Sequence, residues 1–372
     1  ADMFAYTALS IMAGARGANV QIDADNNGVF EQTLSLSEGQ TSYVTGVNTG
    51  GRVLSDHPVQ VVLFSGRPGS NYQSRDTSLL PTYRWSSSYY APVSTGGSYG
   101  TCVFLYNPGA GAITVSYDYR SGASAYTTAT VSVPAGGNAR VNLSPSDGSS
   151  NFGAYRFYTT GTTPPVFYAF SAVDGASAST SSNQAFDGGF TLVGQPSLTT
   201  QILVSLGIGR DPYSSTSPAQ NGNPVWITTA GNGHTPATIY VDYNGDNAGP
   251  LTDPNGNKYD ISYNLRELEQ QKIFDPDGDQ SGMLVYSLNS SVKIAAAWAQ
   301  DPGVASTAQP GLDVSTLIPP LREGEGGKKS SLAVDADGDG AVSAGDTLEY
   351  DIRGVNSARA AIAANAAAPT KI

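Results

Sequence analysis

The residues best suited to chemistry in this sequence are aspartates placed at alternate positions in short loops. The run Asp335-Ala336-Asp337-Gly338-Asp339-Gly340-Ala341-Val342-Ser343-Ala344-Gly345-Asp346 fits the pattern D-x-D-x-D-G-x5-D/E. Carboxylates at positions 1, 3 and 5 curl inward onto one hard cation. Gly340 permits the sharp turn, Ala341 offers its carbonyl, and Asp346 closes the shell. About six oxygens gathered this way suit Ca²⁺ better than Mg²⁺. Strand-forming residues flank the loop where an EF-hand has helices, so the expected role is a structural clip and not a sensor.

Three partial copies occur. Asp23, Asp25, Asn27 and Gly28 fill positions 1, 3, 5 and 6 of the first, where Leu34 stands at position 12 and Glu31 is the nearby substitute. Asp242, Asn244, Asp246 and Asp253 fill positions 1, 3, 5 and 12 of the second, with Asn247 where glycine is preferred. Asp275, Asp277 and Asp279 supply the first three ligands of the last, with no closing carboxylate. Each of these runs is also a plain Asx-turn sequence.

Catalytic constellations are scarce. The two histidines, His57 and His234, share no local motif with the single cysteine, Cys102. No HExxH, GxSxG or P-loop occurs, and Ser290-Ser291-Val292-Lys293 fits S-x-x-K as chance allows in a Ser-rich chain. No enzyme activity is expected. Tyr83, Trp85, Tyr89 and Tyr90 offer either a sugar platform or core and interface anchors.

Positioning the acidic loops falls to strands. The chain has 372 residues with 43 Gly, 22 Pro and 21 Tyr but only 13% charged residues, a balance that favours pleated strands and tight turns. Hydrophobic residues reach 39%, enough for packed cores. A net charge of −12 repels phosphate backbones, so nucleic acid is excluded as a partner. No apolar run approaches the ~18 residues of a membrane span. Cys102 lies in a strand-like run and reads as a small buried hydrophobe. The sequence opens at Ala1-Asp2 without Met, as a secreted product would after cleavage.

A strand ending in aspartate recurs as Val20–Asp23, Val115–Asp118 and Ile239–Asp242. A second element follows the first two copies, Leu34-x-Leu36-x-x-Gly39 and Val131-x-Val133-x-x-Gly136. Alternating apolar runs at Val59–Leu63, Val166–Phe170 and Val292–Trp298 complete the pattern and predict core strands. The expected fold is all-β, with tandem antiparallel β-sandwich modules of jelly-roll or Ig-like type carrying calcium-binding loops. The units are placed at 1–95, 96–190 and 191–318. A linker at 319–334 follows, and 335–372 holds the calcium loop, a strand at Thr347–Ile352 and an Ala-rich tail.

Two segments resemble known families. Ser55-Asp56-His57-Pro58-Val59, continuing through Leu80-Pro81 to Trp85 and Tyr90-Ala91-Pro92, resembles the IgGFc-binding-protein N-terminal domain. Thr82 and Ser86 depart from that pattern, which has Pro and Gly there. Asp335–Ile352 is similar to the opening of the immunoglobulin-like "conserved repeat" domain of large bacterial surface proteins, of which only the first strand is present. The resemblances imply an extracellular, surface-associated β-protein without catalytic residues. The resulting expectation is a secreted structural subunit of a calcium-stabilised filament, sheath or surface layer. Its partners are further copies of itself, engaged by donor-strand pairing, or other surface proteins. A cell-surface adhesin or glycan-binding module is the alternative, with a secreted hydrolase after it.

Overall fold

The computed structural model describes residues 6–66, 75–95, 100–120, 126–143, 153–173, 188–209, 223–301 and 314–321, and the backbone of 327–334 and 347–353. The chain is built of antiparallel strands, with short 3-10 turns at Thr82–Arg84 and Gln195–Ser197. Among the described residues no helix is long and apolar enough to cross a membrane.

The first unit contains β1 (Tyr6–Ala13), β2 (Ala18–Asp23), β3 (Gln32–Leu36), β4 (Thr41–Thr45), β5 (Arg52–Ser55), β6 (Val59–Gly66) and β7 (Arg75–Ser78). They form two sheets, ordered β4-β1-β6-β7 and β3-β2-β5. The second contains β8 (Ser88–Ala91), β9 (Cys102–Tyr106), β10 (Ile113–Arg120), β11 (Tyr126–Val133), β12 (Asn138–Asn142), β13 (Tyr155–Tyr158), β14 (Tyr168–Ala172) and β15 (Gly189–Thr191). Its sheets run β12-β9-β14-β15 and β11-β10-β13-β8.

The third contains β16 (Gln201–Leu203), β17 (Val225–Ala230), β18 (Ala237–Asp242), a hairpin of β19 (Leu251–Thr252) and β20 (Lys258–Tyr259), then β21 (Ile261–Leu265), β22 (Gln271–Ile273), β23 (Leu284–Tyr286), β24 (Lys293–Ala299) and β25 (Ser315–Leu317). Its sheets run β22-β17-β24-β25 and β21-β18-β23-β16. Read in chain order, the strand sequence of each unit is the same, except that the first has no counterpart of β8 and β16 among the described residues and the third inserts the β19–β20 hairpin.

Period-2 patterning is what folds these segments. In β2, Ala18, Val20 and Ile22 are buried while Asn19 and Gln21 face water. The alternating apolar runs become β6, β14 and β24, each an inner strand of its sheet. The missing middle element of the third unit is β21. Its turn places Leu268 three residues after Leu265, as Gly39 and Gly136 follow Leu36 and Val133. All three residues take left-handed backbone, with φ of 70°, 58° and 63° for Gly39, Gly136 and Leu268. The pattern was hidden because a leucine stands where the turn favours glycine.

Segment boundaries differ from the sequence expectation in two places. Ser88–Ala91 lies before the boundary expected at 95, yet β8 pairs with β13 of the second unit. The stretch expected as a linker contains β26 (Gly327–Val334), which pairs with β27 (Thr347–Arg353). The strand expected at Thr347–Ile352 therefore has a partner within its own chain.

The first and third units each have a core of their own, whereas the core of the second also takes in Trp226, Ala297 and Ala299 of the third. Val103, Leu105, Val115, Phe157 and Phe167 anchor the second, and Ile227, Ile239, Val241, Val285 and Ile294 the third. Cys102 is buried beside Phe170 and forms no disulfide. The first core is thinner, with eight buried residues and eight only partly covered.

Candidate metal centre

The loop after β2 brings Asp23, Asp25 and Glu31 together, with one oxygen from each lying within 4.8 Å of the others. Asp23 closes β2 and is 1% exposed, so its carboxylate is presented from the sandwich end at a set position. It accepts the N–H groups of Asn27 at 3.1 Å and Gly28 at 3.0 Å. Positive φ at Asn26 (62°) and Gly28 (87°) curls the loop back over it. Glu31 accepts the Ala24 N–H at 3.1 Å, which anchors the third carboxylate. Asn27 points its amide at Asp25 and its oxygen at the Val29 N–H, so it shapes the loop in place of closing the shell. Three like charges this close repel unless a cation or proton intervenes.

This loop also borders the second unit. Asn26 donates to the Thr49 carbonyl at 3.3 Å, and Asn138 of β12 reaches the Thr49 hydroxyl at 3.3 Å. Gly50, at φ 86°, sits so close that a Cβ would meet Asn26 Nδ2 at 2.4 Å and the Tyr106 hydroxyl at 2.9 Å. The left-handed backbone at that position favours glycine.

The other aspartate runs are arranged differently. Asp242, fully buried, caps its own loop by accepting the N–H groups of Gly245 at 3.0 Å and Asn247 at 2.9 Å. Asn244 lies in the same turn, and Asp246 accepts the Ala248 N–H at 2.9 Å. Asp253 turns to its own partners, Asn255, Asn257 and the Tyr286 hydroxyl. Burial raises its carboxyl, but these hydrogen bonds outweigh burial and hold it below its ordinary value. Among the described residues the Asp242, Asp246 and Asp253 carboxylates do not gather within 4.8 Å.

Asp275, Asp277 and Asp279 form successive Asx turns, each accepting the N–H two residues on. Asp275 is 4% exposed, and burial with the neighbouring Asp277 carboxyl pushes it up to about 6. Its Oδ2 has no hydrogen-bond partner. Asp335, Asp337, Asp339, Ala341 and Asp346 lie outside the described residues; the strands on either side, β26 and β27, pair from Val334↔Thr347 inward.

In the second unit the corresponding aspartate, Asp118, stays within β10 and takes the Thr128 and Tyr158 hydroxyls at 2.7 and 3.3 Å. Asp23 and Asp118 both face an arginine across the ladder, Arg52 and Arg156. The Ser55-Asp56-His57-Pro58 motif works as a clamp. Asp56 accepts both the N–H and the side-chain amide of Asn19 at 2.8 Å, which with His57 lowers its carboxyl to about 2.

The aromatic residues considered as a platform are mostly covered. Tyr89 and Tyr90 are 1% exposed, and Trp85 packs on Tyr106 and Tyr168. Tyr83 alone of the four is open, at 79%. Sequence reading did not single out Glu267 and Leu268, which join the second and third units. Glu267 accepts the Tyr90 hydroxyl and the Gly233 N–H, the latter at 2.8 Å. Arg120 pairs with Glu269, and Gln270 donates to the Pro92 carbonyl at 2.8 Å. Between the first and second units, buried Arg75 donates to the Val173 carbonyl at 3.1 Å and Thr191 to the Ser78 carbonyl at 2.9 Å. No family model, curated protein or solved structure matches this chain.

Proposed function

We propose that the protein is a secreted, extracellular structural subunit that polymerises into a calcium-stabilised filament, sheath or surface layer. The observation that carries this reading is one strand order recurring in three consecutive units, joined through hydrogen-bonded junctions. We read the three as structural repeats. A unit that docks on its successor makes a heterologous contact, and such contacts extend into an open filament when the rotation between units does not close a ring. The acidic cluster beside the first junction supports a calcium clip: an ion on Asp23, Asp25 and Glu31 would brace the loop that holds Thr49, whose hydroxyl accepts from Asn138 of the second unit. The resemblances to bacterial surface domains favour the same setting.

The test is negative-stain microscopy with light scattering of the purified chain, in calcium and in EGTA at equal ionic strength. Elongated assemblies that form with calcium and shrink without it are expected. A monodisperse monomer in both conditions, at concentrations up to about millimolar, overturns the filament reading.

A further inference from the structure

We infer that a groove in the third unit is a binding site for a short oligosaccharide that carries a carboxylate. This goes beyond the filament reading above and does not depend on it.

Relative to the other two units, the third inserts the β19–β20 hairpin between β18 and β21. In repeat architectures an insertion of this kind often builds the binding face. Here the turn of the hairpin is one wall of a groove of about 540 Å³, within the range of about 300–1,000 Å³ typical of small-ligand sites. Thr199 and Thr200, in the segment leading into β16, form a second wall. Ser287 and Ser290, in the turn from β23 to β24, form a third. Asn255 faces them from the hairpin, and Lys293 enters from β24.

These walls are tied to one another. The Ser287 N–H donates to the Thr200 carbonyl at 2.8 Å, and the Ile294 N–H to the Thr199 carbonyl at 2.9 Å. The Tyr286 hydroxyl, at the end of β23, donates to the Asp253 carboxylate at 2.9 Å and so holds the hairpin beside Ser287. Asp253 also accepts the N–H groups of Asn255 at 2.8 Å and Asn257 at 2.9 Å, which keeps its charge within the turn. Tyr240 of β18 stacks on Tyr286 and meets Tyr259 of β20 edge-on, fixing the base of the hairpin.

The lining names the ligand. Hydroxyls and an amide both give and accept hydrogen bonds, which is what a sugar's hydroxyls need. Among the described residues no carboxylate lines the groove. Of the described lysines, Lys258 donates to the Thr252 hydroxyl and Lys272 to Asp301, whereas the half-buried Lys293 ammonium has no protein partner. In a chain of net charge −12, such a lysine among hydroxyls favours an anionic group on the ligand. No aromatic ring lines the groove, so recognition runs through hydrogen bonds and one ion pair, and a dissociation constant of about 1 mM is expected.

The test titrates the full chain with digalacturonate, neutral galactobiose, acetate and a glutamate dipeptide, read by saturation-transfer NMR. EGTA is present throughout, so that calcium on the acidic loops cannot bridge to a uronate. Digalacturonate is expected to bind best, with galactobiose weaker by roughly fivefold, the upper worth of a partly exposed ion pair. Lys293→Met should cost digalacturonate the same factor and leave galactobiose unchanged. Lys258→Met removes the same charge outside the groove and should change neither. Asn255→Ala, on an exposed turn whose backbone bonds it keeps, should weaken both sugars. Digalacturonate binding equally to the parent and to the Lys293→Met variant overturns the inference, as does no binding of either sugar at about 10 mM. Acetate or the dipeptide binding as tightly as digalacturonate overturns the saccharide class. Filaments from a chain that binds no sugar refute this site and leave the filament reading standing.

Discussion

The Leu268 carbonyl accepts the Ala154 N–H at 3.0 Å across the junction of the second and third units, while Leu268 itself holds φ at 63°. Left-handed backbone costs a leucine roughly 1–2 kcal/mol. The strain is offset by burial, since Leu268 is 3% exposed and packs with Tyr90, Leu198, Ala230 and Ala295. Backbone and side chain thus make opposite demands at one position. Leu268→Ala keeps the strain and loses the packing, so a loss of about 2–5 kcal/mol is expected. Leu268→Gly loses the same packing but relieves the backbone, and is expected to cost about 1 kcal/mol less than the alanine variant. Chemical denaturation checks the order, which reverses the usual ranking of glycine below alanine.

Calcium is expected to raise the melting temperature through the Asp23, Asp25 and Glu31 cluster. Linkage gives about 2.7 kcal/mol at a hundred times the dissociation constant. Glu31→Gln should remove part of the gain, and Asp339→Asn a separate part if the C-terminal loop also loads. Calorimetry in calcium and in EGTA, at constant ionic strength, reads both. An unchanged melting temperature would sink the calcium clip.

Acid should loosen the first unit through Asp56, whose carboxyl is lowered from 3.8 to about 2 chiefly by the Asn19 backbone N–H. The folded value lies below the unfolded one, so its contribution is complete above about pH 4 and is lost as pH falls toward 2. Asp56→Asn is therefore expected to flatten the melting-temperature profile across that window and leave its shape above pH 5 unchanged. A variant whose profile parallels the parent between pH 4 and 2 would show that Asp56 does not set the slope.

The junction of the second and third units depends on Tyr90, whose phenol is pushed far up by burial and then by Glu267, so it remains a donor. Tyr90→Phe removes a hydrogen bond to a charged acceptor, a loss of about 1.5–3 kcal/mol. Glu267 keeps the Gly233 N–H, so the third unit should stay folded while its coupling to the second weakens. Limited proteolysis is expected to cut between the two more readily in the variant, and equal cutting rates would count against the coupling.

Much of the architecture is legible in local pattern. Alternation in Val59–Leu63 and in Ala18–Ile22 specifies strands because a pleated chain sends successive side chains to opposite faces. Prolines at strand entrances and glycines such as Gly39 and Gly136 mark turns, because φ is a property of the residue itself. The aspartates that close β2 and β18 are visible for the same reason: alternate carboxylates and a tight turn are short-range features.

What tertiary structure decided is which edges meet. Nothing in the sequence reading marked Ser88–Ala91 as a strand, and only pairing with Tyr155–Tyr158 assigns it to the second unit. Leu268 gives no local sign of left-handed backbone, because the packing that offsets the strain comes from Tyr90 and Ala295, far away in sequence. Glu31 joins Asp23 and Asp25 off the spacing of a standard loop, since β2 and β3 set how far the hairpin between them reaches. A residue's conformational preferences travel with its sequence, whereas hydrogen bonds between strand edges and the burial of a particular face depend on partners that only folding brings alongside.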